Sequence, residues 1–273
     1  MIQPFDRSRR ARFFSRLRAR ALLIFGLSTL AILCLLWSII AIPLPRVMPM
    51  PQARRLGRLA ITGGFRWYID VLTRLGAFRF DLSELDALRQ APPLIIAANH
   101  PCLLDAVMIL SRLPNVSCIL KAKLWNNPLF GAGARLAGYI RNDAPVAMIK
   151  AAVQELKNGS HMLVFPEGTR TTHPPLNPLK SSTGLIAVKA GVPVQVVFIE
   201  INSPFLGKDW PLLRCPSVPI VCRVRLGRRI TPPHDVRGFM HDLETCFQAG
   251  LSAVESDGGC ETGARLEKHG GRT

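Results

Sequence analysis

Residues 21–42, ALLIFGLSTLAILCLLWSIIAI, contain no charged side chain. As a helix this stretch extends about 33 Å, enough to cross the hydrocarbon core of a bilayer. A cleaved signal peptide would have a shorter apolar run with a small-residue cleavage site behind it. Here PLPRVMPMP follows instead, which favours an uncleaved anchor. A buried core helix is the plain alternative, and soluble helices rarely run this far without a charge. The feature therefore predicts a fold seated in part in lipid.

Charge surrounds the apolar stretch on both sides. Arg7, Arg9, Arg10, Arg12, Arg16, Arg18 and Arg20 precede it against Asp6 alone, and Arg46, Arg54, Arg55 and Arg58 follow it. Arginines ahead of a span favour a cytoplasmic N-terminus, but a simple span would place one basic cluster on the wrong side. A segment that dips in and returns, or lies on one leaflet, satisfies both clusters with one anionic membrane surface. The stretch FRWYIDVLTRLGAF extends this picture. Phe65, Tyr68, Ile69 and Leu72 recur at helical spacing, with Arg66, Asp70 and Arg74 on another side where they could pair. This amphipathic helix has two open readings: packing on its own domain, or membrane contact.

Over the whole chain of 273 residues, 35 Lys and Arg stand against 18 Asp and Glu, a net charge of +17. Such an excess calls for a polyanionic partner: nucleic acid, an anionic membrane or phosphorylated substrates. Aromatic residues are only 7% of the chain, too few for the stacking platforms of a single-strand binder. Much of the excess also flanks the apolar segment, so no nucleic-acid partner is expected. Cys34, Cys102, Cys118, Cys215, Cys222, Cys246 and Cys260 are scattered and form no CxxC. That pattern predicts neither a disulfide framework nor a zinc site, and a reducing compartment.

From residue 92 the pattern changes to short apolar runs alternating with helical stretches. Residues 93–98, 116–120, 161–165 and 192–199 read as buried strands, and 220–227 as a strand with one wet face. Helices are expected near 103–112, 146–157 and 182–190. The alternation predicts an α/β domain, a largely parallel sheet flanked by helices. The organisation read from sequence is a basic segment (1–20), a membrane helix (21–42), a linker with an amphipathic membrane-proximal helix (43–80), the α/β domain (81–250) and a disordered tail (251–273).

Two strand ends carry the chemistry. In NHPCLLD, residues 99–105, a histidine follows an apolar strand and an aspartate comes five positions later. Pro101 suits the first helical position, which places His100 at or before the cap and Asp105 one turn in. The carboxylate then bonds one imidazole nitrogen and leaves the other as a base. Alone, a capping histidine with an unrelated aspartate is the commoner explanation. The second stretch, HMLVFPEGTR, ends a buried strand in Glu167, Gly168, Thr169 and Arg170. A carboxylate, a close-approach glycine, a hydroxyl and a planar guanidinium are the ingredients of an anion pocket, at the strand ends where α/β sheets bind ligands.

Together the NHx4D and FPEGTR stretches resemble the glycerolipid acyltransferase family, which includes the 1-acyl-sn-glycerol-3-phosphate acyltransferases, over roughly residues 60–240. The resemblance implies a glycerol-3-phosphate acyltransferase-like catalytic domain. It implies transfer of an acyl group from an acyl-CoA or acyl-carrier-protein thioester to a hydroxyl of a lysophospholipid, with no cofactor and no metal. His100 is then the general base and Asp105 its orienting partner. Arg170 binds the acceptor's phosphate, and Glu167, Gly168 and Thr169 shape that pocket. Two further family blocks are altered here. In GYIRND, Arg141 stands earlier than the family arginine, so its part in phosphate binding is a weaker expectation; in AGVPVQVVFI, Val196 replaces a proline. The acceptor is thereby left open within the family. The implied location is the cytoplasmic side of the inner membrane.

Rival readings remain at this point. Cys102 at a helix N-terminus could be an activated nucleophile, against the commoner role of a small buried hydrophobe. A catalytically dead lipid-binding module is a second rival. Lys121, Lys123 and Lys180 could add to a positive field, against the plainer reading as surface lysines. His161, His173, His234 and His241 lack accompanying ligands and read as structural or surface residues.

Overall fold

The computed structural model describes residues 7–211, 214–231 and 235–263. Three helices come first: α1 (Arg7–Ala41), the short α2 (Leu44–Val47) and α3 (Met50–Arg74). Then follow β1 (Phe78–Asp81), a 3-10 turn at Ser83–Leu88, β2 (Ile95–Ala98), α4 (Asp105–Arg112), β3 (Val116–Leu120), α5 (Ala122–Trp125), α6 (Gly131–Leu136) and β4 (Ile140–Arg141). The chain ends with α7 (Pro145–Lys157), β5 (His161–Val164), α8 (Ser182–Ala190), β6 (Val194–Ile201), β7 (Ile220–Ile230) and α9 (Val236–Gly263).

The seven strands form one sheet in the order β1-β7-β6-β2-β5-β3-β4. All neighbouring pairs are parallel except β6 with β7. A parallel sheet needs both faces covered, and the period of two along each strand supplies two cores. Ile96 and Ala98 face a core shared with α1, α3 and α4, while Ile95 and Ala97 face one shared with α7, α8 and α9. Gly191 stops α8 in the left-handed conformation (φ 65°), the usual use of glycine behind a helix. Strands β1 and β4 were not expected from the sequence. The first is four residues and the second two, too short for an apolar run to register.

α1 does not stand apart from the domain. Ala19, Leu23, Leu30, Cys34, Ser38 and Ala41 are buried at steps of three, four and seven residues, one stripe of a helix. Leu23, Leu30 and Cys34 share a core with Tyr68 and Leu72 of α3 and Phe78 of β1. Gly26 lets the two helices meet closely, since a Cβ there would lie 3.3 Å from Leu72. Ser38 Oγ donates to the Leu129 carbonyl at 2.7 Å. On the outward side Ile24, Phe25, Ile32, Leu35, Leu36, Ile39 and Ile40 are exposed, joined by Leu56, Leu59 and Trp67 of α3. By length and composition, Leu17–Val47 could cross a membrane.

α3 answers the question left open by its sequence. Its Tyr68, Ile69 and Leu72 pack on the domain, and its exposed side mixes Leu56, Leu59 and Trp67 with Arg55, Arg66, Asp70 and Arg74. Asp70 forms no ion pair with Arg66 or Arg74 among the described residues. Two of the arginines expected at an anionic surface are turned inward instead. Arg58, only 7% exposed, donates to Glu155 Oε2 at 2.6 Å, Ser160 Oγ at 2.5 Å, the Ala137 carbonyl at 2.8 Å and Asn115 Oδ1 at 3.0 Å. Arg54 donates to Glu155 Oε1 at 2.8 Å. The buried carboxylate of Glu155 is the cause: a carboxylate taken from water needs its charge matched.

The helix α9 continues past residue 251, where the sequence predicts a disordered tail, as far as Gly263. Residues 264–273 and His234 lie outside the described residues, as do the side chains of 253–263, Cys260 included. The six cysteines with described side chains are all free.

Candidate active site

The ends of β2, β5 and β3 point the same way because these strands run parallel. Their C-terminal turns therefore converge, and they carry Asn99–His100, Pro166–Arg170 and Lys121 respectively. Asn99 stitches its turn to the neighbouring strand: its side chain donates to the Ile199 carbonyl at 3.0 Å and accepts the Ile199 amide at 2.7 Å.

His100 Nδ1 lies 2.7 Å from Asp105 Oδ2. The same oxygen accepts the Cys102 amide at 2.9 Å, so Oδ2 acts as acceptor, the proton sits on Nδ1, and Nε2 is the basic nitrogen. The local route differs from the sequence expectation. Helix α4 begins at Asp105 itself, not at Pro101, and Asp105 is its first residue rather than a turn inside. Residues 101–104 form a turn instead, in which the Leu103 amide donates to the Leu206 carbonyl of the loop after β6 at 3.1 Å. The carboxylate reaches back across that turn, which accounts for the five-residue spacing.

Asp105 is fully buried, and burial pushes its carboxyl above the ordinary range, opposed by the hydrogen bonds from His100 and Cys102. Its Oδ1 is buried without a hydrogen-bond partner. Cys102 is 3% exposed, and burial, helped by Asp105, pushes its thiol well above the usual value. Its Sγ accepts the Leu104 amide at 3.2 Å. A thiolate is therefore strongly disfavoured here, and the residue packs as a small hydrophobe.

The FPEGTR turn meets His100 directly. The Phe165 ring stacks on the imidazole, centroids 4.0 Å apart and planes 18° from parallel. Sequence reading missed Phe165, which looked like the last apolar residue of a strand. Glu167 is buried, and its oxygens serve the backbone: Oε1 accepts the His100 amide at 2.9 Å and Thr171 Oγ1 at 2.8 Å, and Oε2 accepts the Asn177 amide at 2.9 Å. The Thr171 amide returns a bond to the His100 carbonyl at 2.7 Å. Glu167 thus holds the two motifs together rather than lining a pocket. Gly168 adopts φ 67°, and a Cβ there would meet Lys180 Cε and Nζ at 2.6 Å.

Thr169 Oγ1 accepts from Lys121 Nζ at 3.4 Å. Arg170 Nη1 donates to the carbonyls of Leu206 at 2.8 Å and Gly207 at 2.9 Å. Its remaining N–H groups have no partner among the described residues, so the guanidinium is anchored there at one corner. Burial, together with Lys180, Lys208 and Arg170 nearby, pulls the Lys121 ammonium below its ordinary pKa. Lys121 and Lys180 thus belong to the cluster, contrary to their reading as ordinary surface lysines. Arg141 lies on the edge strand β4, opposite Leu120 of β3 and three strand spacings or roughly 14 Å from β2, and its exposed guanidinium pairs with Asp143. That carboxylate, two residues on, takes the charge the sequence reading assigned to a phosphate.

An apolar hollow opens beside the site between α1, α3 and the loop after β6, lined among others by Leu23, Gly26, Tyr68, Leu104 and Leu206. Among the described residues no three His, Cys, Asp or Glu side chains gather to hold an ion. His161 is buried and its imidazole is held below the ordinary pKa by desolvation.

Residues 79–200 match the profile of the family described as Acyltransferase. The chain is 29% identical over 206 residues to the lyso-ornithine lipid O-acyltransferase of Pseudomonas aeruginosa, covering 71% of this chain and 75% of that protein. It is 26% identical over 207 residues to human 1-acyl-sn-glycerol-3-phosphate acyltransferase beta, covering 72% and 68%. The crystal structure of the 1-acyl-sn-glycerophosphate acyltransferase from Thermotoga maritima superposes with a TM-score of 0.62 at 18% identity, over 88% of this chain and 98% of that one. Profile and relatives agree with the paired motifs at the strand ends, and the solved neighbour shares the fold: the chain is an acyltransferase, similar over about 70% of its length to enzymes named for acylating lysolipids.

Proposed function

We propose that the protein moves a fatty acyl group from an acyl-CoA or acyl-carrier-protein thioester to a free hydroxyl of a lysophospholipid, with 1-acyl-glycerol-3-phosphate as the first choice of acceptor. The observation that carries this reading is the His100–Asp105 pair beside unpaired cations. With Nδ1 tied to Asp105, Nε2 takes the proton from the acceptor hydroxyl as its oxygen attacks the thioester carbonyl. Asp105 holds the imidazole and steadies the imidazolium that forms. The tetrahedral intermediate collapses by breaking the C–S bond, and the leaving thiolate recovers the proton from His100. The product is an ester plus a free thiol, with no acyl-enzyme stage.

Arg170 and Lys121 are positioned to take the acceptor's phosphate, a planar donor and a point charge on adjoining turns. The relative named for lyso-ornithine lipid supports a second choice of acceptor, a lysolipid other than a lysophospholipid.

The exposed apolar residues of α1 and α3 favour a protein seated on the cytoplasmic leaflet of the inner membrane, where thioester donors and lysolipids meet. Because α1 keeps one stripe against the domain, insertion into one leaflet suits it better than a free crossing. The test is turnover of labelled acyl-CoA and acyl-carrier-protein against a lysolipid panel, lyso-ornithine lipid included, with His100→Ala as control. Loss of about a hundredfold or more in kcat is expected for the control; equal product from it would remove the mechanism.

A further inference from the structure

Four cations from four separate segments meet above the FPEGTR turn. Lys121 ends β3 and reaches Thr169. Arg170 follows β5, and Lys208 comes directly after Gly207, whose carbonyl accepts from Arg170. Lys180 precedes α8; its amide donates to the Pro166 carbonyl at 2.8 Å, and its side chain lies across Gly168. None of the four has a carboxylate within ion-pair distance among the described residues. Like charges held together this way are a standing electrostatic cost, which bound anions offset.

One phosphate does not account for four cations. A phosphomonoester carries about 1.5 to 2 negative charges at neutral pH, which Arg170 and Lys121 match. Lys180 and Lys208 are left over. Lys180 also enters the cluster from a different element. It leads into α8, which covers the sheet face shared with α7 and α9, whereas the exposed apolar residues of α1 and α3 belong to the opposite face. Lys180 is exposed to water. The first turn of α8 has no side-chain cap, so its amides add to the positive field there.

The second substrate of the reaction arrives from water. Coenzyme A and acyl carrier protein both present their thioester on a phosphopantetheine arm whose phosphate is anionic. We propose that Lys180, backed by Lys208, forms a phosphate subsite for that arm, separate from the Arg170–Lys121 position of the acceptor. The subsite rests on the acyltransfer reading above. It aligns the thioester with His100 through the carrier, while the acceptor is aligned through its own head group.

The test uses the full chain in mixed micelles at saturating acceptor, with one acyl group on pantetheine, on 4′-phosphopantetheine, on coenzyme A and on acyl carrier protein. Wild type is expected to favour the phosphate-bearing thioesters tenfold or more in kcat/KM, through KM. Lys180→Gln is expected to lose most of that preference, with less effect from Lys208→Gln. The acceptor KM should change less than twofold, and Lys180→Arg should restore the preference. Loss confined to the protein-borne thioester assigns the subsite to acyl carrier protein, and loss with coenzyme A assigns it there too. An undiminished preference in Lys180→Gln, or a tenfold rise in acceptor KM instead, overturns the proposal. Wild-type turnover without any phosphate preference overturns it alone, whereas no turnover of any thioester overturns the acyltransfer reading with it.

Discussion

Glu167 accepts the backbone amide of His100 at 2.9 Å, across 67 positions of sequence. The bond makes the second motif part of the first, since the carboxylate that ends β5 fixes the backbone on which the imidazole is carried. Its other oxygen is occupied by the Asn177 amide, so both ends of the group face donors. Glu167→Gln would turn an NH2 toward one of those amides. The expected result is a loss of about 1–3 kcal/mol of stability together with a fall in kcat, read by chemical unfolding and by turnover. A variant with normal stability and a raised acceptor KM would show a ligand-binding role instead.

Asp105 gives a pH prediction with a definite sign. Its carboxyl is raised above the ordinary 3.8 by burial, so the folded protein holds a proton that the unfolded chain releases. The stability this confers is complete below about pH 4 and is lost as pH rises through the raised folded value. Asp105→Asn has no such loss. The stability of Asp105→Asn relative to wild type should therefore climb as pH goes from 4 toward neutrality, while kcat falls about a hundredfold or more because the imidazole loses its charged partner. Parallel denaturation curves at several pH values would check the slope, and a flat difference would contradict it.

Cys102 should tolerate loss of its sulfur. Cys102→Ala removes a weak acceptor of the Leu104 amide and leaves a small void, for about 1 kcal/mol. Activity should stay within about threefold, because the buried thiol is not a nucleophile. Near-complete loss of turnover in a folded Cys102→Ala protein would reopen the nucleophile reading.

Leu206 is the one non-glycine residue with positive φ (57°) among those described. Its carbonyl accepts from both Leu103 and Arg170, and its buried side chain lines the apolar hollow. Leu206→Gly would relieve backbone strain of about 1–2 kcal/mol but remove a buried side chain worth about 2–5 kcal/mol. A net loss of stability is expected, read by chemical unfolding. The carbonyls of residues 206 and 207 that hold Arg170 are retained, so the ratio of KM between acceptors with and without phosphate should stay within about twofold, and a large change in it would show that the side chain, not the backbone, sets the position of Arg170.

The elements of the candidate site were readable because each is a short apolar run stopped by polar residues. PLIIAA ends in Asn99–His100 and HMLVF in the FPEGTR turn, so strand, turn and chemistry coincide. The spacing of His100 and Asp105 was readable as a contact but not as a shape, because the Leu206 carbonyl that accepts the Leu103 amide of that turn lies about a hundred residues away. Arg58 read as a membrane-facing charge for a similar reason: its partner Glu155 sits on α7, and nothing near either residue announces the other. Lys121 and Lys180 gave no local signal at all. Only the parallel order β2-β5-β3 brings their turns to one place. Within residues 21–42 every apolar side chain looks alike, so the stripe that packs on α3 could not be told from the one left bare.

The close seat of α3 has a mechanical consequence. A Cβ on Gly57 would lie 3.2 Å from the Ala137 backbone, and one helical step along, Arg58 is bolted to Glu155. These contacts leave no swivel between the greasy hairpin and the sheet. Whatever plane receives the hairpin also fixes the height and tilt of the imidazole above it. The enzyme carries its working altitude as a property of its tertiary structure, and a longer or softer leash could not reproduce it.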